Sequence, residues 1–211
     1  MTVSYEEVVD WIESFRSTIE DNKAYLTKLD SAIGDADHGT NMDRGMRQVK
    51  AKIDGLPHGD IGKLLKTAGM ALVSSVGGAG GPLYGTLFIQ MGTSLSGKKE
   101  MTPEDWAAAL DAAVKGVQMR GKAELQDKTM IDALIPARDA FKSAIDDGAA
   151  FHEALRRSAA AAEEGMKSTV PLVARKGRAS YLGERSAGHQ DPGATSSYLL
   201  VKTAADKWAE D

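Results

Sequence analysis

Three aspartates, Asp30, Asp35 and Asp37, lie in one short glycine-containing segment between two stretches with helical periodicity. Like charges this close raise each other's cost of ionisation, so the segment calls for a compensating cation. An EF-hand is excluded, because the fifth and twelfth positions counted from Asp35 are Gly39 and Met46. Magnesium combines a few carboxylates with water and phosphate oxygens, and it fits better. The alternative is that the aspartates only cap helices and turns, which accounts for one or two of them.

Composition limits the classes of function that need to be considered. The chain has no cysteine, which excludes disulfides, thiolate metal sites and cysteine nucleophiles. Its formal net charge of -4 disfavours nucleic acid as the main partner, since duplex binding needs a basic face. No apolar run approaches the ~20 residues that span a bilayer, and the acidic N-terminal sequence is unlike a signal peptide. We therefore expect one cytoplasmic domain over residues 1–211, with neither nucleic acid nor membrane as a partner.

Apolar residues at helical spacing predict an all-α chain without strands. Ser4 and Glu7 form a capping box before the first helix, which is interrupted near Asn22, and Thr102 followed by Pro103 begins a later helix. The pattern predicts about eight helical segments, of which the fourth begins near residue 83. Short turns make consecutive helices antiparallel, so the expected architecture is an eight-helix antiparallel up-and-down bundle or barrel.

The order of the helices predicts which connections share an end of the bundle, because alternate connections emerge on the same side. One end receives residues 30–41, 76–82, 120–128 and 171–193. The opposite end receives residues 54–60, 96–102 and 146–150. The second group contains ordinary turn residues, whereas the first holds the aspartates, a glycine-rich run and a basic segment. We therefore expect one functional end, with the site in its loops.

Two further stretches at this end are suited to anions. The glycine-rich run at residues 77–82 removes side chains from a helix junction and could bring backbone N–H groups to an anion at the next helix. It matches neither a P-loop nor a Rossmann fingerprint, and close helix packing explains it equally well. The basic stretch at residues 175–178 supplies guanidinium groups suited to phosphate oxygens. Asp191 followed by Pro192 is typical of a helix N-cap.

Six collinear segments carry a resemblance to a known family. They are Gly-Asp-Ala-Asp-His-Gly at 34–39, Ser-Ser-Val-Gly-Gly-Ala at 74–79, Arg-Gly-Lys-Ala at 120–123, Asp-Lys-Thr-Met at 127–130, Ala-Arg-Lys-Gly-Arg-Ala-Ser-Tyr-Leu-Gly-Glu-Arg-Ser at 174–186 and Gly-His-Gln-Asp-Pro-Gly-Ala-Thr-Ser at 188–196. In these segments the chain closely resembles the ADP-binding L subunits of bacterial dihydroxyacetone kinases.

The resemblance implies an eight-helix barrel with a nucleotide and two Mg²⁺ ions at one rim. The implied metal ligands are Asp30, Asp35 and Asp37. The implied nucleotide-binding residues are His38, Gly39, Thr40, Asn41, Ala79, Gly80, Gly121, Met130, Arg178, Asp191, Pro192 and Gly193. Arg178 would reach the phosphates and is the candidate catalytic residue. The family usually reads Gly-Gly-Ala-Ser-Gly-Pro, whereas here Gly80 replaces the serine, so a hydroxyl donor is lost.

The implied activity is phosphoryl transfer, with ADP, or ATP when phosphorylated, as a bound coenzyme. A phosphohistidine protein of the phosphotransferase system would be the donor. A partner subunit would hold dihydroxyacetone, since we expect a chain of this length to lack a sugar-binding domain. Two alternatives stay open. One is an ATP-dependent dihydroxyacetone or fatty-acid-type kinase module, and the other is a nucleotide-state sensor that regulates a transcription factor.

Overall fold

The computed structural model describes residues 2–209, and nine α-helices form within them. Their bounds are Tyr5–Asp21 (α1), Lys23–Ile33 (α2), His38–Ile53 (α3), Ile61–Ser75 (α4), Gly80–Ser94 (α5), Pro103–Gly121 (α6), Ile131–Asp146 (α7), Phe151–Ser168 (α8) and Pro192–Trp208 (α9). A 3-10 helix, Arg178–Ser186, lies in the connection before α9. No helix among residues 2–209 combines the length and the apolar character that a membrane span requires.

The helices follow one another around a closed ring. The break at Asn22 divides the first predicted helix into α1 and α2, which together form one arm, so the nine helices make eight arms. Each arm packs on the next in chain order, and α9 packs on α1 to close the ring. Neighbouring arms run antiparallel, and their connections are short except for the long one between Ser168 and Pro192. The prediction of an all-α, eight-helix antiparallel bundle or barrel is confirmed.

Side-chain caps determine where two of the arms begin. The hydroxyl of Ser4 accepts a hydrogen bond from the backbone N–H of Glu7, whose carboxylate accepts one from the N–H of Ser4. Thr102 and Asp105 form the same reciprocal box at the start of α6. A cap of this kind stabilises a helix by about 1 kcal/mol. Both boxes lie at the end of the barrel opposite the Asp cluster, which by this name means Asp30, Asp35 and Asp37.

Three tryptophans pack together inside the barrel. Trp11, Trp106 and Trp208 come from α1, α6 and α9, and their ring centroids are 5.0 to 5.3 Å apart in tilted and edge-on pairs. The indole N–H of Trp11 donates to the carbonyl of Leu200 over 3.3 Å. Aromatic pairs of this kind add about 0.5–1.5 kcal/mol each beyond the burial of their area. The hydrophobic core therefore lies between the helices. The connections at the ends of the barrel take little part in it and can form a site.

Two local features differ from the prediction. Val3–Ser4 (β1) pairs antiparallel with Glu100–Met101 (β2), although the sequence predicts no strand. Strands of two residues have no periodicity to detect, and the pairing depends on the N-terminal segment reaching the α5–α6 connection. In addition, α5 begins at Gly80 instead of near residue 83. Pro82 fits the first turn of a helix, where its missing N–H would have no partner within the helix.

Candidate functional site

A cavity of about 500 Å³ lies at the end of the barrel where the four predicted connections meet. Its volume is in the usual range for small-molecule sites. Among the predicted site residues, those that line it are Asp30, Asp35, Asp37, His38, Asn41, Ala79, Gly80, Gly121, Met130, Arg178, Asp191, Pro192 and Gly193. The barrel thus brings together residues from all four connections.

Gly39 and Thr40 are the predicted site residues that do not line this cavity. Gly39 is buried against α2, and a Cβ at this position would lie only 2.1 Å from the carbonyl oxygen of Lys23. Thr40 is exposed on the first turn of α3. Gly39 therefore serves the close contact between α2 and α3, a role that its place in the motif did not reveal.

The Asp cluster is built by a tight turn between α2 and α3. Oδ2 of Asp30 accepts hydrogen bonds from the backbone N–H groups of Asp37, over 2.8 Å, and of His38, over 3.1 Å. The turn passes through Ala36 with a φ of 61°, in the left-handed region. Gly34 leaves room for the Asp30 carboxylate, since a Cβ there would lie 2.0 Å from its Oδ1. The fold therefore holds Asp30 in place through the protein's own backbone.

The geometry of the three carboxylates fits a small divalent cation. One oxygen from each of Asp30, Asp35 and Asp37 lies within 4.8 Å of the others. Ligands on opposite sides of Mg²⁺ would be about 4 Å apart, so only a small contraction is needed. Asp37 is the N-cap of α3, but its side chain makes no capping hydrogen bond. This weighs against the alternative that the aspartates are merely caps, and leaves Asp37 available as a ligand.

Asp35 is the exposed member of the cluster, and it pairs with Arg178. The Nη2 atom of Arg178 lies 3.0 Å from Oδ2 of Asp35. The ion pair joins the α2–α3 turn to the 3-10 helix before α9. It places a guanidinium group directly beside the carboxylates, where it can also meet an anion in the cavity.

The glycine-rich run presents the N-terminus of α5 to the same cavity. Ala79 is the N-cap and provides no side-chain cap for the first-turn N–H groups of Gly80 and Gly81. Uncapped N–H groups at a helix start, together with the helix dipole, favour the binding of anions. Ala79, Gly80 and Pro82 all line the cavity. Carboxylates suited to a cation and a helix end suited to an anion therefore share one cavity.

His38 is held by a chain of hydroxyl groups from α5 and α9. Its Nε2 lies 2.9 Å from Oγ of Ser196, which in turn lies 2.6 Å from the hydroxyl of Tyr84. Burial lowers the pKa of His38, although the carboxylates of Asp30 and Asp37 oppose this shift. A neutral imidazole thus borders the Asp cluster. Tyr84 was not predicted, because it occupies a helix position whose spacing indicates only packing. Ser196 was not predicted either, although it is the last residue of the matching segment at residues 188–196.

Two buried charged groups lie in the cavity wall beside α9. Asp191 caps α9 as predicted, accepting a hydrogen bond from the N–H of Ala194 over 2.7 Å, and burial raises its pKa to about 7. Lys128 is also buried, and burial lowers its pKa while the charge of Asp191 opposes that shift. Lys128 is not among the predicted site residues, although it lies in the matching segment at residues 127–130.

An all-helical barrel with carboxylates, an open helix N-terminus and guanidinium groups around one end cavity defines a helical domain for binding phosphate and a divalent cation. Comparison with known families identifies it further. The DAK2 domain matches residues 32–206. The chain belongs to the DAK2 domain family, which confirms the resemblance found in its motifs.

Relatives of similar length are ADP-binding subunits. The "PEP-dependent dihydroxyacetone kinase, ADP-binding subunit DhaL" of Escherichia coli K12 is 42% identical over 205 residues, which are 97% of this chain and 98% of that protein. The "PTS-dependent dihydroxyacetone kinase, ADP-binding subunit DhaL" of Lactococcus lactis is 38% identical over 201 residues, 95% of this chain and 96% of that one.

A solved structure shares the fold. The dihydroxyacetone kinase from C. freundii in complex with AMP-PNP and Mg²⁺ matches with a TM-score of 0.71 at 25% identity. The match covers 98% of this chain and 34% of that one, so this chain spans about a third of the length of that kinase.

Proposed function

We propose that this chain is the nucleotide-binding subunit of a dihydroxyacetone kinase, with residues 1–211 forming one nucleotide-binding domain. ADP, or ATP when phosphorylated, would act as a coenzyme that relays a phosphoryl group. The donor would be a phosphohistidine protein, and a partner subunit would hold dihydroxyacetone. The observation that carries the proposal is that the Asp cluster and the open N-terminus of α5 line one cavity. A metal-bound nucleotide needs these two sites side by side.

The chain's own residues would divide the work of binding among them. The Asp cluster would hold magnesium, two ions in this proposal, against the phosphate oxygens. Bound Mg²⁺ supplies neutralisation of charge and alignment of the reacting oxygens. The N–H groups of Gly80 and Gly81 would bind phosphate oxygens, and Arg178 would contact the transferred group. Because both reactants are positioned by binding, phosphoryl transfer needs no covalent bond to the chain.

The remaining predicted residues would form the walls around the nucleotide. His38 and Asn41 would flank the phosphates from α3. Gly121 and Met130, with the α9 start at residues 191–193, would surround the rest. Neither Gly39 nor Thr40 lines the cavity, so no side-chain contact with the nucleotide is proposed for them. Their proposed role is limited to backbone N–H groups in the first turn of α3, near the phosphates.

The nearest rival is an ATP-dependent kinase module. Longer kinases, of which this chain spans about a third, are 25 to 35% identical to it, whereas the separate ADP-binding subunits are 38 to 43% identical. The difference supports the coenzyme role. Turnover on free ATP with a partner subunit, in the absence of a phosphohistidine donor, would favour the rival. The sensor role and the cytoplasmic location stay predictions, and a pull-down that compares ADP- and ATP-loaded protein tests the first.

We expect the purified protein to carry ADP and to exchange it slowly. Denaturing release followed by chromatography identifies the nucleotide, and incubation with labelled ATP measures the exchange. Slow exchange is the expected result, because a coenzyme contacted by residues from four connections and by Mg²⁺ at the Asp cluster should dissociate slowly. Nucleotide-free protein with no Mg²⁺-dependent binding of added ADP would contradict the proposed function.

Gly80→Ser is expected to slow the release of ADP by about tenfold relative to Gly80→Ala, since a hydroxyl bonded to a charged phosphate contributes about 1.5 kcal/mol. A Cβ at this position meets only Cγ1 of Val76, at 3.2 Å, so either side chain needs only a small shift of its neighbour. The alanine variant is the matched control, because it adds the Cβ without the hydroxyl. Equal release rates for the two variants would show that the lost hydroxyl is not a phosphate contact.

A further inference from the structure

We propose that Lys128 is a positioning residue for the nucleotide site. Its ammonium group would hold the segment at residues 169–190, called here the α8–α9 segment, and through it the two site residues Arg178 and Asp191. The inference rests on the proposed function and deepens it, since Lys128 belongs to none of the predicted ligand sets.

The ammonium group of Lys128 is enclosed by backbone carbonyl groups. The residue is 1% exposed. Its Nζ donates hydrogen bonds to the carbonyls of Thr169 over 2.8 Å and Leu172 over 3.0 Å, and the carbonyl oxygen of Val170 lies 3.4 Å away. It also donates to the carbonyl of His189, at the other end of the α8–α9 segment. Four carbonyl oxygens around one cation resemble the coordination of a dehydrated monovalent ion.

Placing Lys128 here costs folding free energy in two ways. A buried ammonium group must replace its lost hydration with hydrogen bonds. Its φ of 63° also places a long side chain in the left-handed backbone region, which few residues other than glycine adopt. Such strained and buried residues persist where the surrounding structure requires them, and they are common at functional sites.

The contacts of Lys128 lead directly to Asp191. Thr169 accepts from the ammonium group through its carbonyl, and its Oγ1 accepts a hydrogen bond from the N–H of Asp191 over 3.0 Å. His189, another carbonyl partner, is two residues before Asp191. The ammonium group of Lys128 thus holds both Thr169, which bonds the N–H of Asp191, and His189, which precedes Asp191 in the chain.

The same region of the chain also anchors the part of the segment that carries Arg178. Asp127, the neighbour of Lys128, accepts a hydrogen bond through its carbonyl from the N–H of Arg175 over 3.1 Å. Apolar support for this part comes from a small cluster consisting of Ile33, Ala174 and Ala179, with Leu182 against it. With so little apolar area to bury, the segment depends strongly on its polar anchor.

The test compares Lys128→Met with Lys122→Met. Methionine has a similar length but no charge. Lys122 is the matched control, because it lies in the same α6–α7 connection, has a φ of 50° and is exposed. Calorimetry on protein freed of ADP by dialysis against a Mg²⁺ chelator gives the Kd of ADP with Mg²⁺, circular dichroism checks the helix content, and hydrogen exchange follows residues 169–190. We expect Lys128→Met to keep its helices, to exchange faster in this segment and to raise Kd by about 10- to 100-fold, the range for lost orienting contacts.

Chemical rescue separates positioning from general stabilisation. Ammonium or K⁺ should enter the carbonyl cage of Lys128→Met and recover part of the ADP affinity, whereas tetramethylammonium is too large to enter. Recovery by the small cations alone would support the proposal. Unchanged Kd in a folded Lys128→Met protein would overturn it, and so would faster exchange throughout the barrel without rescue.

Lys128→Gln keeps two N–H donors in its amide group. It replaces Lys128→Met in the test if the methionine variant does not fold. It should show a smaller loss of ADP affinity that ammonium improves little, because its amide N–H groups already donate to carbonyls of the cage. A normal Kd in this variant with normal exchange in residues 169–190 would overturn the proposal. If the unaltered protein itself bound no ADP, the proposed function would fail, while the exchange measurements would still show whether Lys128 anchors the segment.

Discussion

Replacing Asp35 with asparagine is expected to abolish the Mg²⁺-dependent binding of ADP. Asp35 is the exposed member of the Asp cluster, and its partner Arg178 is itself 64% exposed. Losing such a surface ion pair costs at most about 1 kcal/mol of folding free energy, so the barrel should stay intact. The affinity for ADP with Mg²⁺ should fall by about 100-fold or more, because even changes outside the metal's own ligands cost 10- to 100-fold. Calorimetry of the ADP-free protein with and without Mg²⁺ measures the effect.

Asp54→Asn is the matched control for this experiment. Asp54 follows α3 at the opposite end of the barrel, where its carboxylate pairs with Lys50 over 3.2 Å. Its replacement should leave ADP binding unchanged in either condition. If Asp35→Asn kept the Mg²⁺ dependence of the unaltered protein, the assignment of the Asp cluster to the metal would be wrong.

Gly34→Ala is expected to remove most ADP binding while the barrel stays folded. A Cβ here would lie 2.0 Å from Oδ1 and 2.9 Å from Cγ of Asp30, so that carboxylate has to move. Its movement breaks the hydrogen bonds from the N–H groups of Asp37 and His38. Hydrogen bonds to a charged group contribute about 1.5–3 kcal/mol each, so we expect a loss of about 3 kcal/mol in the free energy of unfolding. The affinity for ADP with Mg²⁺ should fall by about 100-fold, since the proposed metal site loses an oriented carboxylate.

Gly55→Ala provides the control, measured by urea unfolding and calorimetry. Gly55 lies in the α3–α4 connection, and a Cβ there would have no neighbour within 4 Å. This variant should stay within about 0.5 kcal/mol of the unaltered protein, as expected for a surface position. Normal ADP affinity in Gly34→Ala would mean that the position of the Asp30 carboxylate does not matter for binding.

The fold could be predicted because each arm carries its own periodic signal. Capping residues such as Ser4 and Thr102 act over three residues, and apolar spacing acts within one helix, so both are visible in the chain. Grouping the connections at one end then needed only the order of the helices and the antiparallel rule. No contact between distant residues had to be known. For this reason the meeting of the four loops was predictable, although which of their atoms bind the nucleotide stays a prediction.

Other features could not be predicted, because their partners are far away in the sequence or lack a residue signature. Lys128 meets carbonyl groups 41 to 61 residues further on, and any residue type can supply a carbonyl. A lysine between an aspartate and a threonine indicates a solvated side chain, not a buried one. Gly39 is the reverse case, because it lies in a recognisable motif but does not line the cavity. It belongs to a motif with metal ligands, and a motif alone does not separate a glycine that meets a ligand from one that lets two helices touch.

The three tryptophans give the protein a built-in optical signal of its folding. Trp11, Trp106 and Trp208 are all the tryptophans of the chain, and they lie in the barrel core and not in the lining of the cavity. Their fluorescence should change when the barrel unfolds, and it should change little when a nucleotide binds in the cavity. In each variant considered above, loss of ADP with unchanged tryptophan emission therefore identifies an altered site in an intact protein.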